Sequence, residues 1–442
     1  MEELFQYLLS KSLGRYDNKQ ILFKLNDEKI MNILEKCNAI IVRNESINSS
    51  GFNYSCNNEL SGKPFPCASL SCRINNVDKL SRFSALYSDS IIVENPLEKY
   101  LNNSRFTERD KMKLIDDLEI IYYMHPLLIA GLIKFSSNLI ILCDECGKKL
   151  KKEENIFEEK LSKIKNVINK EFLSNVNITF TLKYGIPRLV IVGDEDYIPH
   201  GSMYCMVIRE QYLSRLSELF DISSDHVLSK NEIRKLGIVE EMITDGMFDD
   251  ISSQRWLGTY YNTQYVTSRQ TDFKVLRQIN NNDTNNLCDA VMGGITHSIP
   301  YIYNIELEQI INLRNAESDA FFIYREAIQN VIKSSKGLSE KQVKEAFDDL
   351  VRKELLKINL IVKKSHENLI RKAKREIIIG GAIITAGIFT KCISPELASI
   401  TASIGGLKYL HQFCSNSAQI FDEPLDAPKN DIYFLWKVQN LK

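Results

Sequence analysis

The chain has 442 residues, a formal net charge of -1 and 44% hydrophobic residues, a composition typical of an ordered globular protein. Because 56 basic residues balance 57 acidic ones, the composition as a whole does not indicate a protein that binds nucleic acid or an anionic membrane. The length exceeds that of one ordinary hydrophobic core and predicts two or three domains.

The sequence predicts a mainly helical α+β protein in three parts. An N-terminal mixed α/β region with a cysteine zinc site covers residues 1–150, an α+β region with a small central sheet covers 151–285, and a helical domain covers 286–442. The first residues carry an early acidic pair and lack the basic start and apolar stretch of a secretory signal peptide. We therefore expect a cytoplasmic protein whose cysteines are reduced.

Short apolar runs predict the strands of the N-terminal region. Residues 38–42, 90–93 and 138–142 are rich in β-branched and other apolar side chains. Between the first two runs, residues 44–73 are dominated by Asn, Ser, Gly, Pro and Cys and follow neither a strand nor a helix period. Such a segment needs something other than an apolar face to order it, and metal ligation is the candidate.

Helices are predicted in the same region from apolar spacing and capping residues. Apolar side chains recur at helical spacing over residues 77–87. Thr107 and Asp110 have the spacing of an N-cap and its third helical residue, which predicts the start of a further helix. Pro126 should end or kink that helix.

The middle region predicts a long amphipathic helix followed by a small sheet. Residues 148–170 are rich in charge but apolar at helical spacing. Ser229 and Glu232 fit a capping box that opens a later helix. Three strand-like runs are expected to form one sheet: 177–182, 187–193 and 203–209.

The last part of the chain predicts helices almost throughout. Residues 254–276 are apolar at helical spacing, and the Asn-rich segment 280–286 predicts a loop. From residue 306 onward the apolar spacing is helical, including a long helix over 340–375.

Five of the ten cysteines predict a structural zinc site. Cys143-Asp-Glu-Cys146-Gly-Lys follows a predicted strand and has the spacing of a zinc knuckle, in which a turn brings two thiolates onto one ion. Cys56, Cys67 and Cys72 are three candidates for the two remaining ligands. Four thiolates would leave no open coordination position, so the predicted role is structural. The alternative is that these residues are buried thiols.

A second candidate site follows the predicted strand at 187–193. Asp194, Asp196 and His200 lie in the turn after it and could hold Mg²⁺ or act as general acid and base in a nuclease or hydrolase. A solvated acidic turn explains the same residues.

The C-terminal apolar segment 377–410 predicts a helical hairpin with small residues and a basic flank, which is a pattern of membrane contact. Its uncharged run from Ile377 to Thr390 is shorter than the ~20 residues that a membrane-spanning helix needs. The sequence therefore favours a hairpin buried inside a helical domain, and membrane insertion, which would be conditional, is the alternative.

Two segments of the sequence suggest a relationship to other proteins. The first runs from Cys72-Arg-Ile-Asn-Asn-Val-Asp-Lys-Leu80 through Asn95-Pro96-Leu97, and the second runs from Leu313-Arg through Tyr324-Arg325. They resemble stretches of large uncharacterised bacterial proteins, some from anti-phage gene neighbourhoods. The resemblance implies a role in defence and carries over no fold, activity or catalytic residue.

Together these features predict a non-enzymatic sensor, adaptor or assembly component of a bacterial defence or stress system. Its helical C-terminal surfaces would bind a protein partner or a second copy of the chain. Two alternatives are a membrane-damaging effector that uses 377–410 and a metal-dependent nuclease or hydrolase that uses Asp194, Asp196 and His200.

Overall fold

The structure, a computed structural model, describes most of the first two thirds of the chain and parts of the last third. The described residues are 1–14, 18–45, 53–65, 67–136, 143–194, 198, 201–205, 210–237, 245–261, 263–269, 271–272, 275, 300–302, 306–334, 353, 377–379, 384–386 and 433–439. They form a mixed, mainly helical α/β protein that divides into two compact units. Unit 1 comprises Met1–Ile141, Gln254–Ser268 and Asn285–Lys442, and unit 2 comprises Leu142–Ser253 and Arg269–Thr284. The predicted three-domain boundaries remain predictions.

The helices and strands are numbered in chain order. The helices are α1 (Glu2–Ser10), α2 (Asn18–Lys24), α3 (Asp27–Arg43), α4 (Leu70–Tyr87), α5 (Glu108–Tyr123), α6 (His125–Ile129), α7 (Asp144–Asn175), α8 (Glu210–Leu219), α9 (Lys230–Leu236), α10 (Asp245–Tyr261), α11 (Leu307–Ala316), α12 (Ser318–Ser334) and α13 (Tyr433–Gln439). The strands are β1 (Asn53–Cys56), β2 (Ser90–Glu94), β3 (Ile133–Ser136), β4 (Val176–Lys183), β5 (Ile186–Gly193), β6 (Ser202–Cys205), β7 (His226–Val227), β8 (Gln264–Thr267), β9 (Pro300–Ile302), β10 (Ile377–Ile379) and β11 (Ile384–Ala386).

Unit 1 is built on a five-stranded sheet in the order β11-β8-β1-β2-β3. β1 pairs in parallel with both β2 and β8, and β2 pairs in parallel with β3. At the edge of this sheet, β11 runs antiparallel against β8. Parallel neighbours require crossover connections, and α4 lies between β1 and β2 in the chain while α5 and α6 lie between β2 and β3.

Apolar burial holds α4 and the sheet together. Val77, Leu80 and Phe83 of α4 are each at most 1% exposed, and the Phe83 ring meets that of Tyr54 in β1 edge to face at 5.1 Å. Side chains of this size contribute roughly 1.5–3 kcal/mol each when fully buried. The prediction of a helix over 77–87 and of a strand at 90–93 is therefore confirmed.

The predicted start of α5 is confirmed in detail. The Thr107 hydroxyl accepts a hydrogen bond from the Asp110 amide at 3.2 Å, and the Asp110 carboxylate accepts one from the Thr107 amide at 3.2 Å. Pro126 lies in the first turn of α6, directly after the end of α5, as its ring requires.

The run at 38–42 was predicted as a strand, and this prediction is wrong. It forms the last turns of α3, whose buried side chains Ile30, Ile33, Cys37 and Ile41 recur at helical spacing. A window of five residues is too short to separate the two periods, and the packing of the whole helix decides the conformation.

Unit 2 contains the small sheet that the sequence predicted. β4, β5 and β6 pair antiparallel, with β7 added beside β4, in the order β6-β5-β4-β7. The inner face buries Ile178, Phe180, Leu189 and Ile191. The predicted amphipathic helix and the Ser229–Glu232 capping box correspond to α7 and to the start of α9.

Two predictions in the last part of the chain are wrong in part. The helical stretch predicted over 254–276 is interrupted: α10 ends at Tyr261 and residues 264–267 form β8, because pairing with β1 competes with local spacing, whereas residues 271, 272 and 275 are helical again. The predicted helical hairpin at 377–410 contains two strands in its described residues, β10 paired with β9 and β11 paired with β8. Isoleucine-rich runs favour strands where a partner strand is present. Among the described helices, none is long and apolar enough to cross a membrane.

Three further predicted elements lie outside the described residues. They are the strand at 138–142, the loop at 280–286 and, apart from residue 353, the helix over 340–375. These elements remain predictions.

Candidate functional site at the carboxyl edge of the parallel sheet

The strand order of unit 1 reverses at β1. From β1 the chain moves outward to β2 and then β3, whereas β8 lies on the opposite side of β1. Connections on the two sides of such a reversal diverge and leave a crevice at the carboxyl ends of the strands, where open α/β sheets bind their ligands. The residues that follow β1, β2 and β8 therefore define the candidate site.

A hydrogen-bonded network joins the ends of β1 and β8. Asn57 Nδ2 donates to Ser268 Oγ at 3.1 Å, and Ser268 Oγ donates to Glu59 Oε2 at 2.9 Å. Asn76 Nδ2 of α4 lies 3.4 Å from the other Glu59 carboxylate oxygen. Asn57 is fully buried and Glu59 is 7% exposed, so their polar groups are withdrawn from bulk water. These bonds fix the two side chains at the carboxyl edge of the sheet.

A charged pair joins the loop after β1 to the end of β2. Lys63 Nζ donates to Glu94 Oε2 at 2.5 Å, and both side chains keep partial exposure, at 29% and 19%. The buried Asn95 follows Glu94 and donates through Nδ2 to Asn38 Oδ1 of α3 at 2.8 Å. The site thus has a buried polar base and a partly exposed charged rim.

The loop after β1 is held by a buried ionic cluster. Arg73 Nε donates to the Gly62 carbonyl at 2.5 Å, and the same guanidinium pairs with the Asp117 carboxylate. The Tyr100 hydroxyl also donates to Asp117, at 2.7 Å. Burial and the Asp117 carboxylate raise the pKa of Tyr100, so its phenol remains a hydrogen-bond donor. The cluster positions Gly62 and therefore the neighbouring Lys63.

One hydrogen-bonding group near this edge has no partner within the part of the chain that the structure describes. The Ser55 hydroxyl, two residues before Asn57 in β1, is buried and makes no hydrogen bond there. An unsatisfied buried hydroxyl costs about 1–3 kcal/mol unless a water or ligand completes it.

A cleft of about 800 Å³ lies among helices of unit 1, and none of the edge residues lines it. Its Asp78 carboxylate is already engaged by Arg82 Nε at 2.8 Å and by the Tyr123 hydroxyl at 2.8 Å. Volume alone thus favours this cleft, whereas the strand topology and the polar network favour the sheet edge. Ligand recognition needs polar groups at defined positions, and the sheet edge supplies them.

No family model, curated protein or solved structure matches this chain. The assignment of the site therefore rests on its geometry.

Three of the predicted zinc ligands lie in unit 1. Cys56 ends β1 and is 1% exposed, Cys67 is exposed in the loop before α4, and Cys72 is half-buried in the first turn of α4. Interaction with Cys67, together with burial, raises the pKa of Cys72.

The other two predicted ligands lie in unit 2. Cys143 is the exposed N-cap residue of α7, and Cys146 lies in the first turn of that helix. Residues 144–147 form the first turn of α7. Among the described residues, no group of three or more His, Cys, Asp and Glu side chains is arranged to hold a metal ion. The zinc site remains a prediction.

The predicted carboxylate site is described only in part. Asp194 directly follows β5, and its carbonyl accepts a hydrogen bond from the Ile198 amide at 2.9 Å. Asp196 and His200 lie outside the described residues. Their role remains a prediction.

The two segments that carry the bacterial resemblance pack against each other in unit 1. Arg325 of α12 pairs with Asp89, and Arg314 of α11 lies 3.7 Å from the same carboxylate. Arg314 also donates to the Ser84 carbonyl of α4 at 3.2 Å. Arg314 and Arg325 therefore link α11 and α12 to the segment around Asp89.

The edge residues are not predicted by the sequence. Asn57, Glu59 and Lys63 lie in a segment without a helix or strand period, and Ser268 lies in a stretch whose spacing predicts a helix. The available signal was the Asn-Asn-Glu run directly after a short strand. Recognising it requires knowing that β1 and β8 are parallel neighbours, which no local pattern reveals.

Proposed function

We propose that this protein is a non-enzymatic sensor that binds a nucleotide at the carboxyl edge of the unit 1 sheet. The observation that supports the proposal is the hydrogen-bonded network of Asn57, Ser268 and Glu59 at the reversal of strand order. The predicted place of the protein in a bacterial defence or stress system, with a protein partner, is part of this proposal.

The chemistry of the edge matches the polar parts of a nucleotide. Glu59 and Glu94 offer carboxylate oxygens that accept hydrogen bonds from ribose hydroxyls, as acidic residues do in dinucleotide-binding folds. Lys63 offers an ammonium group to a phosphate, and the amino end of α4 adds backbone donors after the same loop. Burial of Glu59 lowers the local dielectric, which strengthens its contact.

The test measures binding of ATP, GTP and NAD⁺, each by titration calorimetry, to the full chain and to two variants. Lys63→Ala removes the ammonium group, and Glu59→Gln keeps the shape of the side chain but removes its charge. We expect one of the three nucleotides to bind and each variant to weaken binding about tenfold or more, since a hydrogen bond to a charged group contributes ~1.5–3 kcal/mol.

Lys36→Ala is the matched control, because Lys36 is an exposed lysine of α3 and its removal changes net charge equally. The Lys36→Ala variant should bind the nucleotide with the affinity of the wild type. If none of the three nucleotides binds, or if Lys63→Ala and Lys36→Ala bind alike, the proposal is wrong. A phage-plating assay on cells with and without the gene tests the defence role separately.

A further inference from the structure

The cleft of about 800 Å³ among the helices of unit 1, the helical cleft, is a second place where this protein can hold a ligand. Its lining residues come from α1, α4, α5 and α6 and from the start of α11. A volume between roughly 300 and 1,000 Å³ is typical of sites that bind small molecules. Because the helical cleft shares no lining residue with the carboxyl edge of the sheet, the two are separate candidate sites.

One pair of charged side chains in the helical cleft is already matched. Arg82 Nε donates to Asp78 Oδ2 at 2.8 Å, one turn away on α4. The Tyr123 hydroxyl of α5 donates to the other oxygen of the same carboxylate at 2.8 Å. The charges of Asp78 and Arg82 therefore compensate each other within the protein.

Two further carboxylates line the helical cleft, those of Glu306 and Glu308. Glu306 is the N-cap residue of α11 and makes no capping hydrogen bond with its side chain, and Glu308 lies in the first turn of that helix. Both residues are exposed, and within the described part of the chain neither carboxylate has a hydrogen-bond or ion-pair partner. The described lining thus sets three carboxylates against one guanidinium, that of Arg82. Charge complementarity therefore favours a cation over a phosphate-bearing ligand.

Aromatic rings form one wall of the helical cleft. The ring of Phe5 lies 5.6 Å from that of Tyr122 and 4.2 Å from that of His125, the second pair packing edge to face. The Tyr122 hydroxyl donates to the Leu13 carbonyl at 2.8 Å, so the ring is what this residue offers to a ligand. The faces of tyrosine and phenylalanine rings attract ammonium groups.

Aliphatic side chains complete the lining. Leu9, Pro126 and Leu307 all border the helical cleft, and Leu9 is 60% exposed. Such surface suits methylene groups, which gain free energy when they leave water. The lining therefore combines unpaired carboxylates, aromatic rings and aliphatic surface.

We propose that the helical cleft binds a linear polyamine. Such a molecule alternates ammonium groups with short methylene segments. The ammonium groups pair with Glu306 and Glu308, and the methylene segments lie on the aromatic and aliphatic lining. This site goes beyond the proposed nucleotide site, from which it differs in its residues and in the sign of the charge that it selects.

The test titrates the full-length protein with spermidine by calorimetry, beside hexanediol as an uncharged chain. We expect spermidine to bind, hexanediol not to bind, and the affinity for spermidine to fall as salt is added. Glu306→Gln and Glu308→Gln should each weaken binding about threefold, and the double variant about tenfold, as expected for exposed charge pairs. Glu28→Gln is the matched control, because Glu28 is an exposed glutamate in the first turn of α3 that does not line the helical cleft. Its affinity for spermidine should be that of the wild type.

Hydrogen exchange locates the bound spermidine. Exchange should slow in residues 122–126 and 306–310 and remain unchanged in residues 57–63, at the carboxyl edge. Absence of spermidine binding, equal losses for Glu28→Gln and Glu308→Gln, or slower exchange only at the carboxyl edge would each overturn the proposal. So would binding of a tetralysine peptide without binding of spermidine, since the helical cleft would then be a docking surface for a protein.

Discussion

Gly62 is the single residue on which the loop of the candidate site most depends. Its φ is +82°, and a Cβ atom there would lie 2.6 Å from Val77 Cγ2 and 3.0 Å from Ile120 Cγ2. Both the backbone conformation and the packing thus require glycine.

Gly62→Ala should lower the free energy of unfolding by about 2–4 kcal/mol, because positive-φ strain and overpacking add. Urea denaturation measures the change. Gly131 is a matched control in the same unit: its φ is +71°, and a Cβ atom added there would meet no atom of the described residues within 4 Å. Gly131→Ala should cost only about 1 kcal/mol; equal losses for the two variants would show that the contact with α4 is absent.

The buried ion pair of Arg73 and Asp117 is a second feature that depends on individual residues. The two side chains are only 4% and 2% exposed. Asp117→Ala should lower the free energy of unfolding by about 3–5 kcal/mol, because it leaves a buried guanidinium unpaired. Replacing both partners, by Arg73→Met and Asp117→Leu, should cost clearly less than the sum of the two single changes. Additive losses in this double-mutant cycle would argue against a direct pair.

Some of these residues can be recognised in the sequence from their type alone. Others become recognisable only from their position in the fold. The cysteines are conspicuous by type, and their grouping around a metal ion remains a prediction. Glu59 and Asp117 carried no signal, because an isolated carboxylate in a sequence does not show whether it is buried or what it faces.

The helices that were predicted best have their signals within one or two turns. The capping box of α5 is an example: Thr107 and Asp110 are three residues apart, and both reciprocal bonds are present. The run at 38–42, residues 264–267 and the strands β10 and β11 were misread, because long-range packing or pairing determines each of them. Local sequence patterns thus predict a helix or strand when the residues that stabilise it lie nearby in the sequence.

The cap of α5 gives a pH-dependent prediction. Hydrogen bonds from Thr107 lower the pKa of Asp110. A carboxyl group with a lowered folded-state pKa stabilises the protein above its unfolded pKa and loses that contribution as the pH falls. Thr107→Ala should therefore lower the free energy of unfolding by about 1 kcal/mol at pH 7, and by less below a pH of about 4. Urea titrations at both pH values measure it; a loss that does not change with pH would contradict the reciprocal cap.

For the molecule as a whole, the main structural fact is the presence of two units with separate hydrophobic clusters. One cluster includes Leu80 and Phe83 of α4, and the other includes Phe180 and Ile191 of the antiparallel sheet. Among the described residues, none belongs to both clusters. The sequence predicted the small sheet of unit 2, but it did not predict that unit 1 gathers segments from both ends of the chain.

Separate clusters should open separately. Phe180→Ala, at a fully buried position, should cost about 3–5 kcal/mol and speed amide exchange in α7, β4 and β5. Exchange in α4 and β2 should remain as in the wild type. Leu80→Ala is the reciprocal control in unit 1, and faster exchange of all these elements in both variants would mean that the chain unfolds as one cooperative body.

The most direct test of the proposed site is hydrogen exchange of the full-length protein with and without ATP, GTP or NAD⁺ at saturating concentration. We predict that the nucleotide that binds slows exchange in residues 57–63, at 94–95 and around Ser268, the three segments that meet at the carboxyl edge. Slower exchange only elsewhere, for example around the cleft lined by Asp78 and Tyr123, would contradict this assignment.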